Sequence, residues 1–494
     1  MLGVPLQKNM YQLFNKMKLR IILIIILIAF FQSCGIAQRN NKLNSQKDYR
    51  GSVIKKNTIK APKYKISTPD YGRTSFNQVN LKQNEFKRDL NNQIIQIIND
   101  TIKNNPGNTA KLNLIKITNA QPNLKDFQIE EYYEIDFNGN NITVGAIDAK
   151  GIINGLASLE FELTQNKTPK KNIKDWPNIE KRIMQINLKA MDPEVVKHVL
   201  LRLWRGHFNG AFYSIHNSVE FEASKKYCLK DAMSKADFKS ICDFGNIFNI
   251  EPVLDFAFLS HQNKSFVLEE ISPELLFNNQ TLDPRNPAVY QLIYSLIDEV
   301  IELVDPKIIN IGHDEVIGFR EKHIVKHGPI LPSELFLSNV KKINNYLINK
   351  NISVWMWGDM LIAPEDFPNM HPGYFHATKE YRWLIDSIPK NITICDWHYK
   401  HYKGKLKQKL DFSSVDFFIN KGFQVIGATY NVNEMTRQFS NYIIEKNHPR
   451  FNGMIATSWH KLLDGTIKNK EKSDHLKQYD AILEFSANAF WNAE

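Results

Sequence analysis

Residues 286–316, NPAVYQLIYSLIDEVIELVDPKIINIGHDEV, carry the pattern that decides the fold. The segment 286–304 is amphipathic at the period of a helix, and the short apolar run KIINIG, at 307–312, follows it almost at once. A helix that leads closely into a buried strand is the repeating unit of parallel α/β proteins. Two acids, Asp314 and Glu315, stand side by side where the predicted strand ends.

The same alternation fills the rest of residues 175–494. Helical stretches separate most of the β runs, and Ser234 with Asp237 is the N-cap signal of one such helix. Because parallel strands need crossover helices, eight strands predict a (β/α)8 TIM barrel, with a doubly wound open sheet as the alternative. The runs are IMQINL (183–188), GAFYSI (210–215), EPVLDF (251–256), KIINIG (307–312), ISVWMW (352–357), ITICDW (392–397), FQVIGATY (423–430) and GMIATSW (453–459).

A second pattern precedes the barrel. Residues 76–174 predict a small α/β domain that opens with an amphipathic helix at roughly 84–104. The runs LNLIKI, YYEIDF and ITVGAI alternate as strands, with the hairpin signal FNGNN between the last two, and AKGIINGLASLEFEL predicts a second helix. The expected fold class is therefore α/β, with a small α/β domain before a barrel.

The first 34 residues indicate export. Lys18 and Arg20 precede the apolar run at 21–31, which is too short to span a bilayer and typical of a signal peptide. A serine directly before Cys34 and a glycine after it resemble the lipobox of bacterial lipoproteins, in which the cysteine is diacylated and becomes the new N-terminus.

We therefore expect a signal peptide over 1–34, lipidation of Cys34 and a flexible tether over 35–75, which is rich in Asn, Lys, Ser and Gln. An uncleaved anchor or an ordinary secretory signal is the alternative. The predicted location is the bacterial cell envelope, where the lipid anchors the protein to a membrane on its periplasmic or surface face.

The charge and the cysteines exclude other classes of protein. The net charge is +11, from 63 Lys and Arg against 52 Asp and Glu, but much of the excess lies in the first ninety residues, so we expect no nucleic-acid partner. The three cysteines beyond Cys34 have no paired or zinc-finger spacing. No P-loop, dinucleotide-binding, serine-hydrolase or HExxH motif is present, so we expect no cofactor and no catalytic metal.

Polar and aromatic residues follow the predicted barrel strands. In a TIM barrel the chemistry lies where strands end, and a packed core would place Val and Leu there. Carboxylates can handle protons and indoles can stack on sugar rings, so the set favours carbohydrate chemistry. It comprises Asn187, Lys189, His216, Asn217, Asp255, Ser260, His261, His313, Asp314, Glu315, Trp357, Asp359, Asp396, Trp397, His398, Tyr430 and Trp459.

At these residues the sequence resembles glycoside hydrolase family 20, the β-N-acetylhexosaminidases. LDPRNPAVYQLIYSLIDEVIELVDPKIINIGHDEV, at 282–316, is similar to the segment that leads to that family's catalytic Asp-Glu pair. DWPNIEKR, IEPVLDFAFLSHQ and GMIATSW resemble the family's barrel start, third strand and last strand, and the segment 130–163 resembles its N-terminal domain. The likeness covers about 75–494.

The resemblance implies an enzyme without a protein nucleophile. In that family the substrate's own 2-acetamido oxygen attacks the anomeric carbon and forms an oxazolinium ion. Asp314 would orient the acetamido N–H and offset the positive charge, and Glu315 would protonate the leaving oxygen, for which its pKa must be raised. Adjacent acids enter one pocket only where the strand breaks, and Gly312 supplies the break. The implied substrate is an oligosaccharide or glycoconjugate.

Further roles come from matching motif positions. Tyr430 resembles the tyrosine that hydrogen bonds the acetamido carbonyl, and Arg182 resembles an arginine that holds sugar hydroxyls, with a salt bridge at the bottom of the barrel as the alternative. An aromatic box around the acetamido methyl would use Trp357, Trp397 and Trp459. The remaining candidate substrate-binding residues are His261, His313, Asp359 and Asp396.

Departures from the family pattern leave the sugar open. His313 stands where a glycine is usual before the Asp-Glu pair, and Asn187 replaces an aspartate of the first strand. Two alternatives therefore remain: a barrel glycosidase for another sugar with Asp359 or Asp396 as nucleophile, and a surface lipoprotein that binds glycans without cleaving them.

Overall fold

The computed structural model describes the chain in segments that cover both predicted domains. The signal peptide, Cys34 and most of the expected tether lie outside the described residues. Within 35–75, Lys65–Ser67 forms a strand, β1, so the expected tether contains at least this ordered piece. The described segments are 65–67, 76–103, 107–164, 172–189, 191–262, 272–316, 328–370, 376–399, 410–459 and 469–492.

The first domain is a six-stranded mixed sheet with helices. The strands pair in the order β1-β6-β4-β5-β3-β2, and the helix predicted at 149–163 is α3. The predicted helix at 84–104 is wrong at its start, because Phe76–Asn84 is a strand and the helix begins only at Gln93. The elements are β2 (Phe76–Asn84), α1 (Gln93–Ile102), β3 (Asn108–Lys116), α2 (Asp126–Glu131), β4 (Tyr133–Asn138), β5 (Asn141–Ala146), α3 (Ala149–Thr164) and β6 (Asn172–Asp175).

The second domain is a closed barrel of eight parallel strands, which confirms all eight predicted strands and excludes the open sheet. Closure is direct, since the last strand pairs in parallel with the first through Gly453 and Lys181. The barrel strands are β7 (Lys181–Asn187), β8 (Gly210–Ser214), β9 (Glu251–Asp255), β12 (Ile308–Asn310), β13 (Ser353–Trp357), β14 (Thr393–Trp397), β15 (Gln424–Thr429) and β16 (Phe451–Ala456); a short hairpin, β10 (Leu276–Asn278) and β11 (Thr281–Leu282), lies after β9.

Helices surround the barrel, and the helix that follows Ser234 has the cap that the sequence indicated. The Ser234 hydroxyl accepts a hydrogen bond from the Asp237 N–H at 3.1 Å, and the Asp192 carboxylate accepts one from Glu194 N–H at 2.8 Å. No described helix is long and apolar enough to cross a membrane. The helices are α4 (Pro193–Arg205), α5 (Lys235–Ile247), α6 (Pro287–Val304), α7 (Ser333–Ile348), α8 (Leu384–Ser387), α9 (Ser413–Asn420), α10 (Asn433–Lys446) and α11 (Asn469–Asn492).

The barrel interior changes from apolar to polar toward the strand ends. Side chains such as Ile183, Phe212 and Val253 pack in the centre. Two residues further along the same strands, a Gln185 amide donates to Ser214 Oγ at 2.8 Å, and Ser214 donates to Asp255 Oδ2 at 2.9 Å. Burial, helped by the charge of Asp314, raises the pKa of Asp255 to about 8. A neutral carboxylic acid therefore lies beneath the mouth of the barrel at pH 7.

The last helix ties the two domains together at the opposite end of the barrel. The Trp491 indole of α11 donates to Asp175 Oδ2 at 2.9 Å, and its ring stacks on His207 at a centroid distance of 4.2 Å. Beside it, Arg205 of α4 donates to Glu160 of α3 at 2.7 Å. These contacts join the first domain to the barrel away from the carboxyl ends of the strands.

Candidate active site

The backbone turns sharply where the fourth barrel strand ends. β12 stops at Asn310, and Gly312, His313 and Glu315 then take positive φ values of 75°, 70° and 45°. A Cβ on Gly312 would lie 3.0 Å from the Phe256 carbonyl oxygen, so the turn needs a glycine. The predicted break at Gly312 is therefore present, and it places the carboxylates of two consecutive residues on one side of the chain.

His261 holds the two acids. It follows β9 in a left-handed conformation with φ 59°, and its Nε2 lies 3.1 Å from Asp314 Oδ2 and 3.8 Å from Glu315 Oε2. The Asp314 side chain is 20% exposed and that of Glu315 is 40% exposed. Both acids are therefore shielded but still reachable from solvent.

The surroundings of the two acids shift their pKa values in opposite directions. Burial opposes ionisation of Asp314, but the charge and hydrogen bond of His261 outweigh it, so the Asp314 pKa is lowered. For Glu315, burial and the neighbouring Asp314 charge together raise the pKa. Opposite pKa shifts of this kind favour Asp314 as the carboxyl that stays ionised and Glu315 as the carboxyl that carries a proton.

Asp359 lies beneath Glu315 and does not reach the pocket. Its Oδ2 accepts the Glu315 N–H at 2.9 Å and the His376 Nδ1–H at 2.7 Å, and its side chain has no exposed surface. The expectation that Asp359 contacts substrate is therefore corrected: it braces the turn that carries Glu315. His376 was missed because it stands 17 residues beyond Asp359 in a loop with no sequence signal.

Aromatic rings line two parts of the mouth. Trp357 is buried in the barrel, and its ring lies 5.9 Å from that of Trp459, which is 39% exposed. Trp397 packs against Tyr399 at 4.9 Å, and Tyr399 in turn meets Tyr430 edge-on at 5.7 Å. The structure thus brings the four predicted aromatic residues to the strand ends, and Tyr399 joins them.

His313 points away from the acids that it precedes. Its Nδ1 pairs with the Ile311 carbonyl at 2.9 Å and its Nε2 with Asn339 Oδ1 of α7 at 2.8 Å. Burial lowers the His313 pKa to about 4. This corrects the expectation of substrate binding, because the left-handed turn directs the ring into the helix layer.

Asp396 is also directed outward. Cys395 lies in the barrel interior, so the next residue faces the helices. Asp396 Oδ2 accepts from Ser414 of α9 at 2.7 Å and lies 3.2 Å from His398 Nε2. The carboxylate is 4% exposed, which corrects its assignment to the substrate pocket.

Arg182 lies at the wrong end of the barrel for sugar binding. It is the second residue of β7, whereas the acids follow the carboxyl ends of the strands. Its guanidinium is buried, pairs with Glu131 of α2, and donates to the carbonyls of Ile179 and His207 at 2.7 and 2.8 Å. The alternative of a salt bridge at the barrel bottom is what the structure shows.

His216 adds a further polar group near the mouth. It follows β8 with φ 45°, and its buried Nδ1 has no hydrogen-bond partner among the described residues. Burial and the neighbouring His261 lower its pKa to about 4. The described residues contain no group of three or more His, Cys, Asp or Glu arranged to hold a metal ion.

Comparison with known proteins relates the fold to one group of solved structures. No protein-family model matches the sequence, and no curated protein sequence is similar to it. The structure of a chitobiase from Flavobacterium johnsoniae superposes with a TM-score of 0.63 at 17% identity, over 88% of this chain and 69% of that one.

Two further structures agree with this fold. The β-N-acetylhexosaminidase from Bacteroides fragilis gives a TM-score of 0.63 at 16% identity, over 87% of this chain and 90% of that one. The N-acetyl-β-hexosaminidase from Streptomyces plicatus, solved with thio-NAglucal, gives 0.63 at 12% identity, over 87% and 89%. The chain therefore has the fold of glycoside hydrolase family 20 enzymes, a (β/α)8 barrel preceded by a small α/β domain.

Proposed function

We propose that the protein is a glycoside hydrolase that removes terminal β-linked N-acetylhexosamine from glycans by a substrate-assisted, retaining mechanism. The observation that carries this proposal is the pair Asp314 and Glu315, adjacent carboxyls at the barrel mouth whose pKa values are lowered and raised respectively. The shared fold supports it, since the enzymes with this fold are named for action on N-acetylhexosamine.

In this mechanism each carboxyl has one task. Asp314, kept ionised by His261, accepts the acetamido N–H and offsets the positive charge of the oxazolinium ion. Glu315, whose raised pKa favours the protonated form, gives its proton to the leaving oxygen and then takes one from the attacking water. Tyr430 would hydrogen bond the acetamido carbonyl, and Trp357 with Trp459 would enclose the methyl group.

A conventional nucleophile is the second candidate mechanism, and burial argues against it. The side chains of Asp359 and Asp396 are 0% and 4% exposed, and both carboxylates accept hydrogen bonds from neighbouring side chains. A nucleophile must approach the anomeric carbon closely, which neither group can do from its position.

The deciding experiment compares two chromogenic substrates, an N-acetyl-β-glucosaminide and the plain β-glucoside. Substrate assistance needs the acetamido group, so we expect hydrolysis of the first and essentially none of the second. Equal hydrolysis of both would instead indicate a conventional nucleophile. Calorimetric binding of N-acetylglucosamine oligomers without hydrolysis would identify a glycan-binding protein.

We also propose that the protein is anchored to a membrane through Cys34. Support comes from the sequence alone: the basic residues, the short apolar run at 21–31 and the serine and glycine that flank Cys34. Cys34→Ser should release the protein from the membrane fraction without changing the specific activity of the barrel. Retention in that fraction would contradict lipidation at this position.

A further inference from the structure

Glu315 has an unusual backbone that a single buried carboxylate supports. Its φ of 45° is left-handed, a strained conformation for a residue with a side chain unless the surroundings hold it. The Glu315 N–H donates to Asp359 Oδ2 at 2.9 Å. Asp359 therefore fixes the direction in which the Glu315 side chain leaves the main chain.

Asp359 is itself buried and only partly satisfied. Its Oδ1 has no hydrogen-bond partner among the described residues, while Oδ2 accepts two bonds. A buried carboxylate in this state needs a compensating positive charge. The His376 Nδ1, 2.7 Å from Oδ2, is placed to supply it.

His376 lies close enough to Asp314 and Glu315 for its charge to act on both. Burial works against its protonation, but the hydrogen bond and charge of Asp359, with the charges of Glu315 and Asp314, outweigh it and raise the His376 pKa. The centroid of the Trp397 ring lies 6.2 Å from that of the His376 ring. His376 in turn favours ionisation of both Asp314 and Glu315.

We propose that Asp359 and His376 form a positioning pair for the acid: Asp359 holds the Glu315 backbone in its left-handed turn, and the His376 ring holds Asp359 in place. Both residues act on the acid through its backbone and through each other. The inference rests on the proposed function only where it calls Glu315 the acid, because the hydrogen bonds of Asp359 do not depend on what the protein does.

Three variants separate the parts of this role. His376→Asn keeps a donor at the position of Nδ1 but removes the charge, His376→Ala removes both, and Asp359→Asn removes the carboxylate. The matched control is His398→Gln, since His398 pairs through Nε2 with the buried Asp396 one strand away and touches neither acid. All four variants are made in the full-length protein.

The first readout is the pH profile of kcat/KM on an alkyl N-acetyl-β-glucosaminide, whose leaving group needs a proton. Loss of the His376 charge raises the Glu315 pKa, so in His376→Asn the basic limb should move up by about half a unit to one unit. His376→Ala should show the same shift and a further fall of about tenfold in kcat, as expected for a displaced acid. The control should keep the native profile.

The second readout does not need activity. In ¹⁵N-histidine spectra the signal of one imidazole should titrate with a pKa above the ordinary range for histidine. That signal should be absent from His376→Asn, and its pKa should be lower in Asp359→Asn. A basic limb unchanged in His376→Asn, or a His376 signal that titrates no higher in the native protein than in Asp359→Asn, overturns the pair. A native protein that hydrolyses nothing contradicts the proposed function instead, and the imidazole titration then decides the pair alone.

Discussion

His261 Nε2 lies 3.1 Å from Asp314 Oδ2, and this contact separates the behaviour of two adjacent carboxyls. The same nitrogen is 3.8 Å from Glu315 Oε2, beyond hydrogen-bonding distance. The hydrogen bond lowers the pKa of Asp314, whereas Glu315 responds mainly to burial and to the Asp314 charge. The pKa values of two acids that are neighbours in sequence are thus shifted in opposite directions, and the contact with His261 accounts for the lowered one.

We predict that Glu315→Gln removes acid assistance to the leaving group in the first step and base assistance to the attacking water in the second. Hydrolysis of an alkyl N-acetyl-β-glucosaminide should fall by about 10²–10⁴-fold, the usual contribution of a general acid. A 2,4-dinitrophenyl substrate, whose leaving group needs no proton, should retain most of its rate of bond cleavage. The value of kcat/KM, which reports the steps up to bond cleavage, measures the contrast on both substrates, and an equal loss of kcat/KM on both would show that Glu315 is not the acid.

Asp314→Asn should act on the charged intermediate. The amide still accepts a hydrogen bond but cannot offset the oxazolinium charge, so the loss should fall mainly on kcat and leave KM nearly unchanged. A thiazoline mimic of the intermediate should bind the native protein tightly and the variant weakly, as measured by inhibition. If the native protein cleaves glycosides but ignores the thiazoline, substrate assistance is wrong.

Arg182→Met should destabilise the protein without altering substrate affinity. Removal of one partner leaves the buried Glu131 carboxylate without its ion pair, at a cost of about 3–5 kcal/mol in the free energy of unfolding. Arg382→Met, which breaks an exposed pair with Asp366, is the control and should cost less than about 1 kcal/mol. Urea unfolding measures both, and a raised KM in Arg182→Met would restore the sugar-binding assignment.

Asp255→Asn should change how stability depends on pH. The folded pKa of about 8 lies above the unfolded value of roughly 3.9, so between them the folded state binds the extra proton and stability falls as pH rises. The amide has no such proton. Between pH 5 and pH 7.5 the free energy of unfolding of the variant, measured with urea, should therefore rise by on the order of 3 kcal/mol relative to that of the native protein. Parallel profiles of stability against pH would contradict the raised pKa.

The strands and the acid pair could be predicted because both follow from local pattern. Apolar runs between amphipathic helices define the barrel, and two acids after a strand can share a pocket only if the backbone turns, which Gly312 does. The direction in which a single side chain points was harder to predict. Asp396 and His313 each stand next to a pocket residue in the sequence. Strand alternation nevertheless turns Asp396 outward, and the left-handed backbone of His313 turns its ring toward α7.

Two further differences had other causes. Arg182 precedes the apolar part of its strand, so the predicted strand boundary already placed it at the amino end of β7. The sugar-binding role was assigned from the family likeness instead. No pattern in the sequence pointed to His376, because its position beside Asp359 depends on the course of a loop. Loop residues that reach an active site are fixed by tertiary structure, which periodicity does not report.

The bond from Trp491 to Asp175 joins residues 316 positions apart, and the barrel closes between strands that are almost as distant in the chain. Contacts of such high sequence separation form late, because the entropy of closing the intervening loop must be overcome before any of them is gained. During synthesis β7 must therefore wait, with one edge unpaired, until β16 has left the ribosome. For most of that time the first strand of the barrel is an exposed edge that other chains can pair with, so correct folding depends on how quickly its distant partner arrives.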